Sequence, residues 1–204
     1  MNVISRSLLS LWGSSIGKKL IVALTGLVLV LFLAGHLAGN LLIYVGEEAF
    51  NEYAEFLHHM LHGAGIWIAR IILLTCLVLH VAATIALTRQ NRAARPKYEF
   101  DTTVQASRSS KIMIWSGLTI LAFVIFHLLH FTVRTDAELA KLGAENPHAM
   151  VVLGFQNFFV VLFYIIAMTL LCSHLSHGVA SMFQTLGLRD QKTAQAIALL
   201  SKAY

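Results

Sequence analysis

Four long apolar segments alternate with more polar segments along this chain. Their approximate bounds are 19–44, 65–88, 112–133 and 151–183. Each exceeds the ~20 residues that an α-helix needs to cross the hydrocarbon core of a bilayer. The pattern predicts an all-α membrane bundle of four transmembrane helices, numbered here as spans one to four, in a single domain over residues 1–204. The polar segment 190–204 predicts a short amphipathic helix after span four.

Composition supports a membrane location. Hydrophobic residues make up 57% of the chain and charged residues only 12%, whereas a soluble domain has about 25% charged residues. The net charge of +5 belongs to the segments that flank the spans, so it indicates no nucleic-acid partner. Membrane lipid is the expected surrounding.

The basic residues predict an orientation. They concentrate before span one, between spans two and three, and after span four, whereas segment 46–63 carries four glutamates and neither Lys nor Arg. Segments rich in Lys and Arg usually stay on the cytoplasmic side. We therefore expect a multi-pass protein of the cytoplasmic (inner) membrane with both termini in the cytoplasm.

Each span has at least one histidine in its second half, and one from each span is a candidate ligand. These are His36, His80, His127 and His174. Ionisable side chains are costly in lipid and usually mark a function there. Neutral imidazole is a good axial ligand for haem iron, and the core of a helix bundle is a usual place for such a site.

Depth in the membrane sorts the four histidines into two pairs. Spans one and three run outward, so at 1.5 Å per residue His36 and His127 lie roughly 10–15 Å below the outer surface. Spans two and four run inward, so His80 and His174 lie roughly 13 Å from the inner surface. This predicts two bis-histidine haems, an outer one and an inner one.

Small and polar neighbours fit this prediction. Gly39 and Gly178 lie on the faces of His36 and His174, where a flat macrocycle needs small residues, although small residues also allow close helix packing. His130 and His177 each follow a proposed ligand by three residues and share its face. Either could replace that ligand, contact a haem edge, propionate or quinone, or be a polar residue near a helix end.

The sequence also resembles a known family over nearly its whole length. The runs that carry the resemblance are Ser15-Ile-Gly-Lys-Lys, Ala23-Leu-Thr-Gly-Leu, Gly35-His36-Leu-Ala-Gly-Asn40, Glu48-Ala-Phe-Asn51, Leu79-His80, Phe126-His127 and His174-Leu-Ser-His-Gly178. In this order they resemble the dihaem cytochrome b558 membrane-anchor subunit of succinate dehydrogenase and fumarate reductase. That family usually has a fifth, C-terminal helix, which this sequence does not show.

The resemblance implies two haem b groups, held by His36 with His127 and by His80 with His174. It also implies a flavoprotein subunit and an iron–sulfur subunit on the cytoplasmic side, which would carry out the dicarboxylate chemistry of a succinate:quinone oxidoreductase. This chain would pass electrons between the iron–sulfur subunit and a membrane quinone, commonly menaquinone. The basic loop between spans two and three would face those partners, and a higher oligomer stays open.

Quinone chemistry needs a group that exchanges protons. The first outer loop offers Glu55, His58 and His59 close to the exit of span one, and histidine can exchange protons near neutral pH. We expect these residues to serve a quinone near the outer haem. The competing interpretation is a solvated loop.

Three other functions remain open from the sequence. One is the haem b subunit of a formate dehydrogenase or hydrogenase, which also uses histidines on four helices. Another is a transporter that holds haem or another small molecule transiently. The third is a structural membrane protein whose histidines bond neighbouring helices together.

Overall fold

A computed structural model describes residues 10–93 and 108–201, with side chains in the second range described from residue 113. These residues form helices and connecting turns without any strand, as predicted. Span one is an α-helix at Ser15–Asn40 that continues as a 3-10 turn at Leu41–Tyr44. Span two is Ala64–Ala93.

Span three combines two helix types. Its α-helix, Arg108–His127, continues as a π-helical segment at Leu128–Val133. π-Helical turns are rare and frequently occur at functional sites. Span four is the α-helix Phe158–Thr185.

The four spans are long and apolar enough to cross a membrane. Their bulky aliphatic side chains are largely exposed, for example Leu31 at 63%, Ile71 at 64% and Ile165 at 59%. Apolar surface on this scale is typical of helices that face lipid rather than water. The chain is therefore a multi-pass membrane protein.

The chain divides into two compact units. The first is built from three separate segments and the second from two. Unit 1 comprises Met1–Phe32, Arg70–Arg108 and Leu175–Tyr204, and unit 2 comprises Leu33–Ala69 and Ser109–His174. Ala83 and Val179 are among the most deeply buried side chains of unit 1, and Ser116 and Ala167 are among those of unit 2. The small residues Ala83, Ser116 and Ala167 let helix backbones approach closely.

Unit 2 contains three short helices outside the spans. They are Glu47–His59, Ala137–Glu145 and Pro147–Gly154. Asn146 joins them: its side chain accepts from the backbone N–H of Ala149 at 3.0 Å and from Asn51 at 3.0 Å, and it donates to Glu47 at 2.6 Å. The segment between spans one and two is thus hydrogen-bonded to the segment between spans three and four.

Span four begins later than predicted. The sequence predicted its start near residue 151, but the helix Pro147–Gly154 ends and a new helix begins at Phe158. Asn157 causes the new start, because its side-chain oxygen accepts from the N–H groups of Phe159 and Val160 at 2.9 and 3.4 Å. Such N-caps satisfy the first N–H groups of a helix.

The predicted C-terminal helix is shorter than expected, at Ala194–Leu200, and residues 202–204 of that prediction lie outside the described residues. A turn closed by Asp190 precedes it. The backbone N–H and hydroxyl of Thr193 and the N–H of Lys192 donate to the Asp190 carboxylate and lower its pKa. Part of the basic loop between spans two and three, residues 94–107, also lies outside the described residues.

Candidate haem sites

Within unit 2, the histidines of spans one and three face each other. The ring centres of His36 and His127 lie 5.8 Å apart and their planes meet at 86°. With metal–nitrogen distances of about 2 Å, two imidazoles on opposite sides of one metal ion have ring centres about 6 Å apart. The separation of the two rings therefore fits bis-histidine ligation of one iron.

His127 shares a hydrogen-bond partner with His130. The phenol oxygen of Tyr164, in span four, lies 3.1 Å from Nδ1 of His127 and 3.2 Å from Nδ1 of His130. A phenol has one proton, so at most one of the two imidazoles can accept from Tyr164 and the other must donate to it. Tyr164 thus couples the tautomers of the two histidines.

Aromatic rings surround this cluster. The Phe123 ring stacks on His127 at 5.8 Å and 28°, and the Phe131 ring lies 4.1 Å from that of His130. The Phe155 ring contacts Tyr164 edge-on at 4.7 Å. A lining of this kind excludes water and keeps the local dielectric low, which are conditions that tune a bound redox group.

Within unit 1, His80 contacts span one. Its Nδ1 atom lies 3.2 Å from Oγ1 of Thr25. A Cβ atom on Gly26 would stand 3.3 Å from Cε1 of His80, so the glycine allows the imidazole to lie close to the helix. The helix around His80 is also tightly packed, since Ala83 is completely buried.

Within unit 2, His174 makes a closely similar contact with span three. Its Nδ1 atom lies 3.2 Å from Oγ of Ser116, and a Cβ atom on Gly117 would stand 3.5 Å from its Cε1 atom. Each inner histidine therefore has a hydroxyl group at Nδ1 and a glycine beside its ring. The pairing of His80 with His174 stays a prediction from their depth.

The predicted small residues differ in their surroundings. A Cβ atom on Gly39 would stand 2.5 Å from Cε1 of Tyr53, so packing of the Tyr53 ring already explains why this position is glycine. A Cβ atom on Gly178 would meet no other atom within 4 Å, and His177 is half-buried. The haem contacts of Gly39, Gly178 and His177 stay predictions.

The proposed proton-exchanging residues lie on the outer helix Glu47–His59. Glu55 and His59 face each other at 3.9 Å, with side chains 73% and 79% exposed. Nδ1 of His58 lies 2.8 Å from the carbonyl oxygen of Ala54. Because a carbonyl can only accept, Nδ1 carries the proton in neutral His58 and Nε2 is left as a base.

Haem is the metal group that these residues fit. In residues 10–93 and 108–201, no cluster of three or more His, Cys, Asp or Glu side chains could hold an ion by itself, as a closed zinc site would. Haem iron takes only its axial ligands from the protein. Two facing imidazoles are therefore enough for haem but not for a structural zinc ion.

The chain matches no known family model, no curated protein and no solved structure. The geometry nevertheless identifies residues that sequence reasoning did not place in a site, namely Thr25, Ser116 and Tyr164. A signal for two of them was present in the sequence. A hydroxyl residue followed by glycine occurs eleven residues before the histidine in both span one and span three.

Proposed function

We propose that this chain is the membrane-anchor cytochrome b of a succinate:quinone oxidoreductase, and that it carries electrons between an iron–sulfur subunit and a membrane quinone. The observation that carries the proposal is the approach of His36 and His127 to 5.8 Å between ring centres. An imidazole within an apolar span is costly. Two of them facing each other from different spans are explained if they share one metal group.

Four histidines would hold two haems b. His36 and His127 bind the outer haem, and His80 and His174 bind the inner haem. A bound haem would supply one-electron chemistry at its iron, and two such groups at two depths would provide a route for electrons across the bilayer. The chain's own task is to hold the ligands in place and to keep water away from them.

The surroundings of the histidines support ligation. Metal-bound histidines almost always donate their second ring N–H to a neighbouring acceptor. Nδ1 of His80, His127 and His174 each lies 3.1–3.2 Å from a hydroxyl oxygen. These contacts orient the rings and leave Nε2 for the iron.

The predicted orientation assigns the partner subunits and the quinone to opposite sides of the membrane. The basic inner segments lie in the cytoplasm and face a flavoprotein and an iron–sulfur subunit, where complementary charge aids docking. Quinone, most simply menaquinone, reacts near the outer haem. His58, with Nε2 as a base, and the exposed Glu55 and His59 exchange its protons with outer water.

Purification of the full chain from its own membranes tests this function. We expect a flavoprotein and an iron–sulfur protein to co-purify, and succinate to reduce the haem or fumarate to oxidise it. Formate and hydrogen serve as control donors in the same preparation. A complex whose haem is reduced by formate or hydrogen, but not by succinate, would contradict the assignment, as would a haem-free preparation.

A further inference from the structure

Two hydroxyl–glycine pairs occupy equivalent positions in the chain. Thr25-Gly26 precedes His36 in span one, and Ser116-Gly117 precedes His127 in span three, by the same number of residues. Each hydroxyl, however, contacts a histidine of another span. In unit 1 Thr25 meets His80, and in unit 2 Ser116 meets His174, both at 3.2 Å.

The direction of these hydrogen bonds follows from the number of protons. Thr25 donates its hydroxyl proton to the carbonyl oxygen of Ile21 at 2.6 Å, and Ser116 donates its own to that of Met113 at 3.1 Å. A hydroxyl has one proton and can accept with its oxygen lone pairs. While each hydroxyl donates to its backbone carbonyl, its oxygen can only accept from the imidazole.

The acceptors determine the tautomer of each histidine. Nδ1 must carry the proton in order to donate to the hydroxyl oxygen, and a neutral imidazole has only one N–H group. Nε2 therefore keeps its lone pair in both His80 and His174. The burial of Thr25 and Ser116, which are 7% and 1% exposed, protects these bonds from water.

We infer that Thr25 and Ser116 are positioning residues for the inner haem. They hold Nδ1 of His80 and His174 as the donor, direct Nε2 toward the iron, and make both imidazoles more basic ligands. A more basic ligand favours oxidised iron and lowers the reduction potential. This inference rests on the proposed haem function.

The hydrogen bond of His127, a proposed ligand of the outer haem, is of another kind, because its partner Tyr164 also contacts His130. The phenol has one proton and can donate it to only one of the two rings. The contact with Tyr164 therefore does not determine by itself which nitrogen of His127 carries the proton. The inner histidines each have a hydroxyl whose proton is already used. We therefore expect the effect of losing the hydroxyl to be confined to the inner haem.

The test compares T25V and S116A with the wild type in the purified complex. Both variants remove the hydroxyl acceptor while keeping a side chain of similar or smaller size. The backbone carbonyl of Val22 still accepts from His80 in T25V, so S116A should have the larger effect. We expect the inner haem to titrate at a higher potential and to be lost about 10–100-fold more readily, as metal sites usually respond to loss of such a partner. The H36A variant, which retains the inner haem, identifies which potential belongs to it.

Two variants separate this role from a structural one. T25S keeps the hydroxyl and should restore the wild-type potential. T119V removes a hydroxyl one turn away in span three, where Thr119 bonds only its own helix at the carbonyl of Trp115 at 3.0 Å, and should change neither potential nor haem retention. A fully retained inner haem of unchanged potential in T25V and S116A would overturn the inference and leave the cytochrome assignment intact.

Nitrogen NMR of ¹⁵N-histidine-labelled chain gives a readout that needs no haem. We expect the Nδ1–H tautomer at His80 and His174, and its loss at His174 in S116A. At His80 the backbone carbonyl of Val22 remains as an acceptor in T25V, so the tautomer should persist there. An Nε2–H tautomer at either histidine of the wild type would overturn the inference. A wild-type chain that binds no haem at all would instead overturn the proposed function, and with it the ligand role.

Discussion

The imidazole rings of His36 and His127 lie 5.8 Å apart at their centres. The two residues belong to spans one and three, and the whole of span two lies between them in the sequence. Their planes are nearly perpendicular, at 86°. Under the proposed function one iron would bind both residues, so they should act as a unit. Effects of residues that act as a unit are not additive.

The first prediction concerns this pair. We expect H36A and H127A each to lower the haem content from two to one per chain, and the double variant to lose no more than either single variant. Pyridine haemochrome measurement with protein quantification provides the count. Loss of both haems only in the double variant would show that His36 and His127 bind different groups.

A second prediction distinguishes His127 from His130. Both contact Tyr164, but the ring of His127 is the one that faces His36 at a distance suited to a shared iron. We expect H127Q to lose one haem and H130Q to keep two. The opposite result, with haem lost in H130Q and retained in H127Q, would make His130 the ligand.

A third prediction concerns the outer helix Glu47–His59. Replacing His58 and His59 together with Ala removes two exposed groups that can exchange protons. We expect lower quinone-linked turnover with haem content unchanged. The E48Q variant, on the first turn of the same helix, serves as a control for a general change in this surface. Unchanged turnover in the double variant would reject these residues as the proton partners.

A fourth prediction concerns the junction of the outer loops. Asn146 caps the helix Pro147–Gly154 and bonds Asn51 and Glu47. N146A should lower the free energy of unfolding by about 1–2 kcal/mol, the range for loss of an N-cap. Thermal unfolding in detergent measures this loss, with N91A, at an exposed site in span two, as the control. Equal melting temperatures for N146A and the wild type would show that the junction contributes nothing to stability.

Most of the fold was predictable because a long apolar run can satisfy its backbone hydrogen bonds within lipid by forming an α-helix. The start of span four was not, since the polar pair Gln156-Asn157 is only a short interruption in the apolar run 151–166. Its interruption depends on the Asn157 cap and on Gly154, where a Cβ atom would stand 2.7 Å from the Phe131 ring. A contact between distant segments, such as that of Gly154 with Phe131, leaves no mark on the apolar pattern of the sequence.

The candidate sites were also predictable only in part. His36 and His127 lie close together, as is expected of equivalent positions on two spans that run in the same direction. Their pairing as ligands stays a prediction. Tyr164 could not be anticipated, since nothing in the sequence relates a tyrosine of span four to the histidines of span three. Thr25 and Ser116 become informative only when their contacts with the histidines of other spans are known.

A reduced-minus-oxidised absorption spectrum of the purified full chain, with haem counted per chain, tests the central claim most directly. We predict two low-spin, six-coordinate haems b per chain, both of them reducible. A chain purified without haem, or with iron that lacks a second axial ligand, would contradict the account.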